Sequence, residues 1–235
     1  MEKQSLVSIV IPVFNRQEIF TRSLQSVFAQ DYPFLEIIVV DDGSKPTITV
    51  SPEFQKKIIL IRQSNLGAPA ARNRGFKEAH GESVIFWDAD ILAPTNFLSQ
   101  LVKALENNPL ASYAYTDHYF GWKKMPAGVF DPDRLKQNNF FATAALIRTA
   151  DFPGFDEKLK RFQDWDLWLS LLEKNKTGHY VPDISYTILA GGTMSAWLPG
   201  FFYSAPFAWL PGIRSRVKRY QAAKQVIAEK HGLKP

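Results

Sequence analysis

The chain has no cysteine and no long apolar run, and each absence excludes a class of protein. Without cysteine among its 235 residues, it has no disulfide, no thiolate nucleophile and no cysteine-ligated zinc or iron–sulfur site. A membrane-spanning helix needs about 20 apolar residues. The nearest candidate, residues 197–213, contains three prolines. The N-terminal apolar run is not followed by a small-residue cleavage site, so we do not predict a signal peptide.

Net charge favours anionic partners. Lys and Arg number 28 against 23 Asp and Glu, which gives a formal charge of +5. Such a balance suits nucleotides, diphosphates or anionic membrane surfaces. No lysine- or arginine-rich tract or nucleic-acid motif occurs early in the chain, and we predict no nucleic-acid partner. The lack of cysteine fits a reducing, cytoplasmic location.

Strand-like and helix-like patterns alternate in the first half. Apolar runs of strand length occupy 6–14, 35–40, 57–61 and 83–87. Helical patterns occupy 16–30, 68–80 and 94–107, the first with Asn15 as predicted N-cap. This alternation predicts an α/β fold with a mostly parallel central sheet flanked by helices. The second half is less regular: we predict a long connection over 117–139 and a strand over 140–148.

Three polar clusters follow buried strands of this sheet. Asn15 follows the first strand, Asp41 and Asp42 end the second, and Asp88 and Asp90 follow the fourth. The carboxyl ends of parallel strands meet at one edge, where ligands bind in open α/β sheets. We therefore predict a ligand site at this edge.

The Asp88–Asp90 pair has two interpretations. Residues i and i+2 of extended backbone point the same way, so the two carboxylates can hold a hard divalent cation such as Mg²⁺ or Mn²⁺. The alternative is a turn in which aspartates bond their own backbone. The chain has two further Asp-x-Asp pairs, at 131–133 and 164–166. Only the first pair closes a buried strand, and that position favours the cation.

Asp41 and Asp42 also have two interpretations. They either form a strand-to-loop turn, in which Gly43 supplies a positive φ, or accept hydrogen bonds from a base and a ribose.

The helix entry at 65–75 contains mainly small residues and two arginines, Arg72 and Arg74. Small side chains let backbone approach a ligand, and helix N-termini favour anions. The alternative is close helix–sheet packing with solvated arginines. Composition favours neither.

Asp164 opens a helical pattern. Spacing alone favours an N-cap role, which is common for aspartate there. The alternative is a general base that deprotonates an acceptor hydroxyl.

Five stretches in order resemble the family 2 glycosyltransferases, which have the GT-A fold. The stretches are VSIVIPVFNR, LEIIVVDDGS, NLGAPAARNRG, VIFWDAD and PGFDEKLKRFQDWDLWLSLL, and they extend from Val7 to Leu172. The resemblance implies metal-assisted, inverting transfer of a sugar from a nucleotide-diphosphate donor, often UDP-linked. The acceptor is then a hydroxyl of a saccharide or lipid-linked molecule, in polysaccharide or glycoconjugate synthesis.

The resemblance also assigns residues. The donor-binding set it implies is Pro12, Phe14, Asn15, Asp41, Asp42, Asn65, Gly67, Arg72, Asp88, Ala89 and Asp90. Within this set Asp41 or Asp42 holds the base and ribose, and Arg72 lies near the phosphates. Asp90, with Asp88, binds Mn²⁺ or Mg²⁺. Asp164 matches the catalytic base, although Gln163 stands where many members have Glu.

One position departs from the family pattern. Many members have a histidine that helps to bind the metal or diphosphate where this sequence has Ala190. A catalytically impaired nucleotide-sugar-binding protein is therefore the alternative function.

We predict a GT-A domain over 1–193, with a nucleotide-sugar-binding half (1–116) and an acceptor and catalytic-base half (117–193). A C-terminal tail follows over 194–235. Its aromatic segment and basic helix, at 197–231, predict peripheral contact with the inner face of the membrane. The alternative is that the aromatics close the core or acceptor cleft.

Overall fold

The computed structural model describes residues 5–189 and 213–233. These residues contain nine strands and seven α-helices. The strands are β1 (Val7–Val13), β2 (Leu35–Asp41), β3 (Ile58–Arg62), β4 (Ser83–Phe86), β5 (Ile91–Leu92), β6 (Ala111–Phe120), β7 (Lys123–Met125), β8 (Leu146–Arg148) and β9 (Thr177–Ile188). The helices are α1 (Gln17–Phe28), α2 (Pro52–Gln55), α3 (Ala68–Phe76), α4 (Phe97–Asn107), α5 (Pro132–Gln137), α6 (Gln163–Glu173) and α7 (Ile213–Lys230).

The strands form one mixed sheet. Their order is β3-β2-β1-β4-β8-β6-β9-β5, with β7 paired to β6. The ladders β3–β2, β2–β1, β1–β4 and β6–β9 are parallel, and they contain most of the paired residues. β8 runs antiparallel to both β4 and β6. The predicted α/β class is therefore confirmed, with antiparallel pairing in the second half.

Helices cover both faces of the sheet, which explains the continuous apolar runs in the sequence. All seven residues of β1 are buried. Ile9 and Ile11 share a core with Phe20 of α1, whereas Val10 belongs to the core on the opposite face. On that second face α3 lies close to the sheet, because a Cβ at Gly75 would overlap the side chain of Val10. Parallel strands covered on both faces have no polar alternation.

The predicted N-cap role of Asn15 is wrong. Helix α1 begins at Gln17 with Arg16 at the N-cap position and no side-chain cap. Asn15 has a φ of 51° and its Oδ1 accepts a hydrogen bond from the backbone N of Lys45 at 2.7 Å. Its side chain therefore ties the end of β1 to the loop after β2 instead of capping the helix.

The second half contains more regular structure than the sequence predicts. The expected connection over 117–139 includes the end of β6, its hairpin partner β7 and helix α5. Asp131 caps α5 by accepting hydrogen bonds from the backbone N atoms of Asp133 and Arg134. The strand predicted over 140–148 is confined to β8.

Ala190 and the aromatic segment 197–209 lie outside the described residues. None of the helices in the described ranges is long and apolar enough to span a membrane. Helix α7 packs on the domain through buried Val217 and Ile227.

Candidate functional site

A cleft of about 450 Å³ opens where β1, β2 and β4 end. Ten of the twelve residues predicted for the site line it: Pro12, Phe14, Asp42, Asn65, Gly67, Arg72, Asp88, Ala89, Asp90 and Asp164. The other two, Asn15 and Asp41, do not line it. The fold thus brings segments far apart in sequence to one edge of the sheet, as the topology predicts.

Asp88 forms a short ion pair with Arg72. The Arg72 Nη2 atom lies 2.6 Å from Asp88 Oδ1, and Arg72 Nη1 donates to Gln163 Oε1 at 3.2 Å. Only 7% of the Arg72 side chain is exposed, and its guanidinium lies over the ring of Phe155. Arg72 is therefore a buried cation at the floor of the cleft. Arg74, by contrast, is exposed and pairs with Glu78 one turn along α3.

Asp90 pairs with Arg16 at the start of α1. Arg16 Nη1 lies 3.0 Å from Asp90 Oδ2. Burial and the nearby charge of Asp88 raise the pKa of Asp90 to about 6, although Arg16 acts in the opposite direction. The two carboxylates repel each other, and each has an arginine on one side.

This carboxylate pair fits a hard divalent cation. Mg²⁺ commonly takes one or two protein carboxylates and completes its shell with water and phosphate oxygens. Asp88 and Asp90 supply two carboxylates at one edge, and a cation would relieve the repulsion that raises the pKa of Asp90. No group of three or more potential metal ligands occurs within residues 5–189 and 213–233. Further ligands would therefore come from solvent or substrate.

The carboxylate of Asp42 organises the loop that enters α3. Its Oδ1 accepts hydrogen bonds from Gln63 Nε2 at 2.7 Å and from the Leu66 backbone N at 2.9 Å. Its Oδ2 accepts one from the Gly67 backbone N at 2.8 Å. Asp42 therefore shapes the wall of the cleft as well as lining it.

Asp41 forms the strand-to-loop turn, which was the first of the two interpretations of the sequence. Its buried carboxylate accepts hydrogen bonds from the backbone N atoms of Ser44 at 2.9 Å and Ile48 at 3.3 Å. Arg62 Nη1 lies 3.5 Å from the same carboxylate. Gly43 supplies the positive φ that this turn needs, 81°. Of the two neighbouring aspartates, only Asp42 faces the cleft.

Asp164 also lines the cleft, from the first turn of α6. The N-cap of α6 is Phe162, so the N-cap interpretation of Asp164 is wrong. Asp164 Oδ2 accepts a hydrogen bond from Asn139 Nδ2 at 2.7 Å. Burial raises the pKa of Asp164, and Asp88 adds to this effect, while the backbone N of Trp165 and the charge of Arg72 oppose it. A carboxylate with a raised pKa is a stronger base.

Several cleft residues were not predicted from the sequence. They are Val13, Arg16, Ala68, Ala71, Thr143, Lys160, Arg161, Phe162 and Gln163. Lys160 and Arg161 are exposed on the rim, and neither has an ion-pair partner in the part of the chain that the structure describes. Together with Arg16 and Arg72 they surround the cleft with positive charge, which suits a phosphate-bearing ligand.

Tyr186 on β9 is a further residue near the site. Burial and the charges of Asp88, Asp164 and Asp90 raise its pKa. Its ring stacks on His118, 5.5 Å between centroids. In the sequence Tyr186 resembles any other residue of a half-buried strand, so the sequence did not identify it as a site residue.

Comparisons with known proteins identify the family and the fold. Residues 8–159 match the family described as Glycosyl transferase family 2. An uncharacterized glycosyltransferase of Rickettsia conorii is 28% identical over 214 residues, covering 82% of this chain and 35% of the relative. The chain thus spans about a third of the length of that relative. The Escherichia coli protein UDP-Glc:alpha-D-GlcNAc-diphosphoundecaprenol beta-1,3-glucosyltransferase WfaP is 27% identical over 184 residues, covering 72% of this chain and 71% of WfaP.

Solved structures share the fold. S. aureus TarS 1-349 in complex with UDP-GlcNAc gives a TM-score of 0.66 at 22% identity, covering 84% of this chain and 63% of that one. The same protein in complex with UDP gives a TM-score of 0.65 at 21% identity, covering 79% and 60%. The predicted GT-A fold is confirmed. Since the family match covers more than half of the 235 residues, this chain belongs to glycosyl transferase family 2.

Proposed function

We propose that this chain is an inverting glycosyltransferase that moves a sugar from a UDP-linked donor to a hydroxyl of a saccharide or lipid-linked acceptor. The observation that carries the proposal is one cleft lined by both the Asp88 and Asp90 carboxylates and the Asp164 carboxylate. The names of similar proteins support it. WfaP is named for UDP-Glc and a diphosphoundecaprenol-linked acceptor, and the TarS structures contain UDP or UDP-GlcNAc.

The donor would occupy the wall formed by β1, β2 and α3. Phe14 is 44% exposed and lines the cleft, so it can stack on a base. Asp42 and the loop it organises lie at the same wall. Arg72 and Arg16 stand beside the carboxylate pair, where they would hold the diphosphate. Asp90 and Asp88 would hold Mn²⁺ or Mg²⁺, which would neutralise charge on the departing diphosphate.

Asp164 would act as the base. In the proposed reaction its carboxylate takes the proton of the acceptor hydroxyl. The hydroxyl oxygen forms a bond to the anomeric carbon while the bond from that carbon to the diphosphate oxygen breaks. Attack opposite the leaving group inverts the configuration, and the diphosphate leaves as an anion beside Arg72. Electrostatic stabilisation of such charge is usually the largest catalytic term.

Binding of the donor can be tested before the acceptor is known. We expect UDP, UDP-glucose or UDP-GlcNAc with Mn²⁺ to raise the melting temperature, because a ligand that binds only the native state stabilises it. Phe14→Ala should weaken UDP binding by about 5- to 100-fold, the range for loss of one base-stacking ring. Trp122→Ala is the matched control, since Trp122 is 93% exposed and does not line the cleft. Equal loss in both variants, or no shift with any uridine nucleotide, contradicts the proposed donor.

A lipid-linked acceptor would require contact with the membrane, and we propose that the tail at 197–231 supplies it from the cytoplasmic side. Among its described residues, Lys218 and Arg219 are exposed on α7. The unaltered chain should float with liposomes that contain phosphatidylglycerol, and the Lys218→Glu, Arg219→Glu double variant should float less. The control changes equal charge on other exposed lysines, Lys56→Glu and Lys103→Glu. Failure of the unaltered chain to float ends the membrane proposal.

A catalytically impaired nucleotide-sugar-binding protein is the second candidate. Ala190 motivates it, because many family members have a histidine at the corresponding position. Nucleotide-sugar binding with no release of UDP in the presence of acceptor glycans and Mn²⁺ would favour it. Measurable transfer would exclude it.

A further inference from the structure

Phe162 has a backbone conformation that its side chain does not favour. Its φ of 59° and ψ of 29° lie in the left-handed region, which bulky residues rarely occupy. Phe162 stands between the two rim cations, Lys160 and Arg161, and the cleft residues Gln163 and Asp164. A change in this one residue's conformation would redirect the chain on both sides of it. Something outside the turn must therefore stabilise it.

Two aromatic contacts hold the Phe162 ring. It meets Trp165 edge-to-face with centroids 5.8 Å apart, and it meets Tyr220 edge-to-face with centroids 5.2 Å apart. Trp165 lies in the first turn of α6, the helix that Phe162 precedes. The Trp165 Nε1 atom donates a hydrogen bond to the Leu135 carbonyl at 2.6 Å. Tyr220 belongs to α7, near the end of the chain. The C-terminal helix therefore contacts the residue that immediately precedes Gln163 and Asp164.

Helix α7 also contacts the other side of the proposed base. Lys224 Nζ lies 3.3 Å from Asn138 Oδ1 and 5.8 Å from the centre of the Trp165 ring. The next residue, Asn139, donates to the carboxylate of Asp164. One face of α7 thus supports both segments that meet at Asp164.

The end of α7 is anchored on α6. Lys230 Nζ lies 2.7 Å from Asp166 Oδ1, and His231 Nε2 lies 2.8 Å from the same oxygen. His231 Nδ1 lies 2.7 Å from Glu173 Oε1. Ile227 is fully buried beside these groups. These contacts fix the position of α7 on the domain, and with it the position of Tyr220.

We propose that α7 is a positioning element of the active site, in which Tyr220 holds Phe162 in its left-handed conformation and so keeps Asp164 and the cations Lys160 and Arg161 facing the cleft. This inference rests on the proposed function of Asp164. Tyr220 is a positioning residue, because it acts through Phe162 and does not line the cleft.

Limited trypsin digestion tests the turn without reference to activity. Trypsin cleaves after lysine and arginine, so Lys160 and Arg161 report on the turn directly. We expect Tyr220→Ala to increase cleavage after these two residues at least fivefold, measured by mass spectrometry of the fragments. Tyr220→Phe keeps the ring and should behave as the unaltered chain. The control is Val226→Ala, an exposed position elsewhere on α7. Unchanged cleavage in Tyr220→Ala overturns the proposal.

Kinetics with UDP-glucose or UDP-GlcNAc then test positioning. Tyr220→Ala should lower kcat about tenfold and raise the Kd for UDP, because Asp164 and the cations Lys160 and Arg161 are then no longer held facing the cleft. Glycine adopts positive φ without steric cost. In a Phe162→Gly background, Tyr220→Ala should therefore cost less than twofold in kcat. A full tenfold cost in both backgrounds means that Tyr220 acts elsewhere and overturns the proposal.

Asp164→Asn separates this inference from the proposed function. If Asp164→Asn transfers sugar at the full rate, the proposed role of Asp164 as the base fails. If Asp164→Asn is inactive while Tyr220→Ala has the kcat of the unaltered chain, only the positioning role of α7 fails.

Discussion

Asn139 Nδ2 lies 2.7 Å from Asp164 Oδ2, so the proposed base has a fixed hydrogen-bond donor beside it. Donation to the ionised form of a carboxyl favours that form. The burial of Asp164 acts in the opposite direction and raises its pKa. Asn139 therefore favours the ionised form of the base through this hydrogen bond.

Asn139→Ala should move the acidic limb of the pH–rate profile to higher pH. Without the donor, the ionised carboxylate loses a hydrogen bond and the pKa of Asp164 rises further. We expect activity at pH 6 to fall at least fivefold more than activity at pH 8.5. The measurement is kcat/KM for the donor between pH 5 and 9. Gln137→Ala, at an exposed position nearby, is the control. A parallel loss at all pH values would contradict the role of Asn139.

Asp164→Asn should raise stability while it lowers activity. The pKa of Asp164 is raised in the folded state, so its contribution to stability is present below the unfolded pKa and is lost as pH rises through the folded pKa. At pH 8 the ionised side chain therefore destabilises the fold. A neutral amide removes the charge and keeps one acceptor oxygen, which can serve either Asn139 Nδ2 or the Trp165 backbone N. We therefore expect Asp164→Asn to have a higher melting temperature than the unaltered chain at pH 8.

Comparison with pH 4 tests the reason for that gain. At the lower pH more of the Asp164 carboxyl is protonated in the unaltered chain, so the difference between the two proteins should shrink. Asp133→Asn changes an exposed carboxylate and should leave the melting temperature within a degree. A lower melting temperature for Asp164→Asn at pH 8 would argue against a raised pKa.

Removal of divalent cations should lower turnover. Asp88 and Asp90 fit a hard cation that also binds phosphate oxygens. We expect EDTA to reduce transfer at least tenfold, and Mn²⁺ or Mg²⁺ to restore it. Asp90→Asn should need a higher Mn²⁺ concentration for half-maximal activity. Unchanged turnover in EDTA would remove the metal from the mechanism.

The contact of His231 with α6 should make stability depend on pH. Burial lowers the pKa of His231, but hydrogen bonds with Asp166 and Glu173 outweigh it, so the pKa is raised overall. Its stabilisation is present below the unfolded pKa, near 6.5, and is lost as pH rises through the folded pKa. We expect the melting temperature to fall between pH 6 and 9, and the fall to be smaller in His231→Gln. His80→Gln, an exposed histidine, should follow the unaltered chain. Identical slopes in all three proteins would contradict this role.

The sequence predicts best the residues whose position follows from topology. Asp42, Asp88 and Asp90 follow buried strands, and parallel pairing brings the ends of those strands together without further information. The run in β1 is buried on both faces, so its apolar pattern indicates a central strand directly. The same reasoning predicts the cleft but not which of two adjacent aspartates faces it. Asp41 turns into its own loop.

The remaining features depend on contacts between distant segments. In the sequence Asn15 resembles an N-cap. Its side chain instead accepts a hydrogen bond from Lys45, 30 residues away, and the local sequence does not indicate this contact. Lys160 and Arg161 have no periodic signal, because exposed cations occur on any surface. The left-handed φ of Phe162 has no residue signature either, since glycine or asparagine would be expected there. Its support comes from Tyr220, which lies on the last helix of the chain.

The most direct test of the account is proton NMR of a transfer reaction with a UDP-sugar, Mn²⁺ and an acceptor glycan, run with the unaltered chain and with Asp164→Asn. General base catalysis contributes about 100- to 10,000-fold. We expect product of inverted anomeric configuration from the unaltered chain, and a rate at least about 100-fold lower from Asp164→Asn with UDP affinity unchanged. Product of retained configuration, or equal rates from the two proteins, would contradict the account.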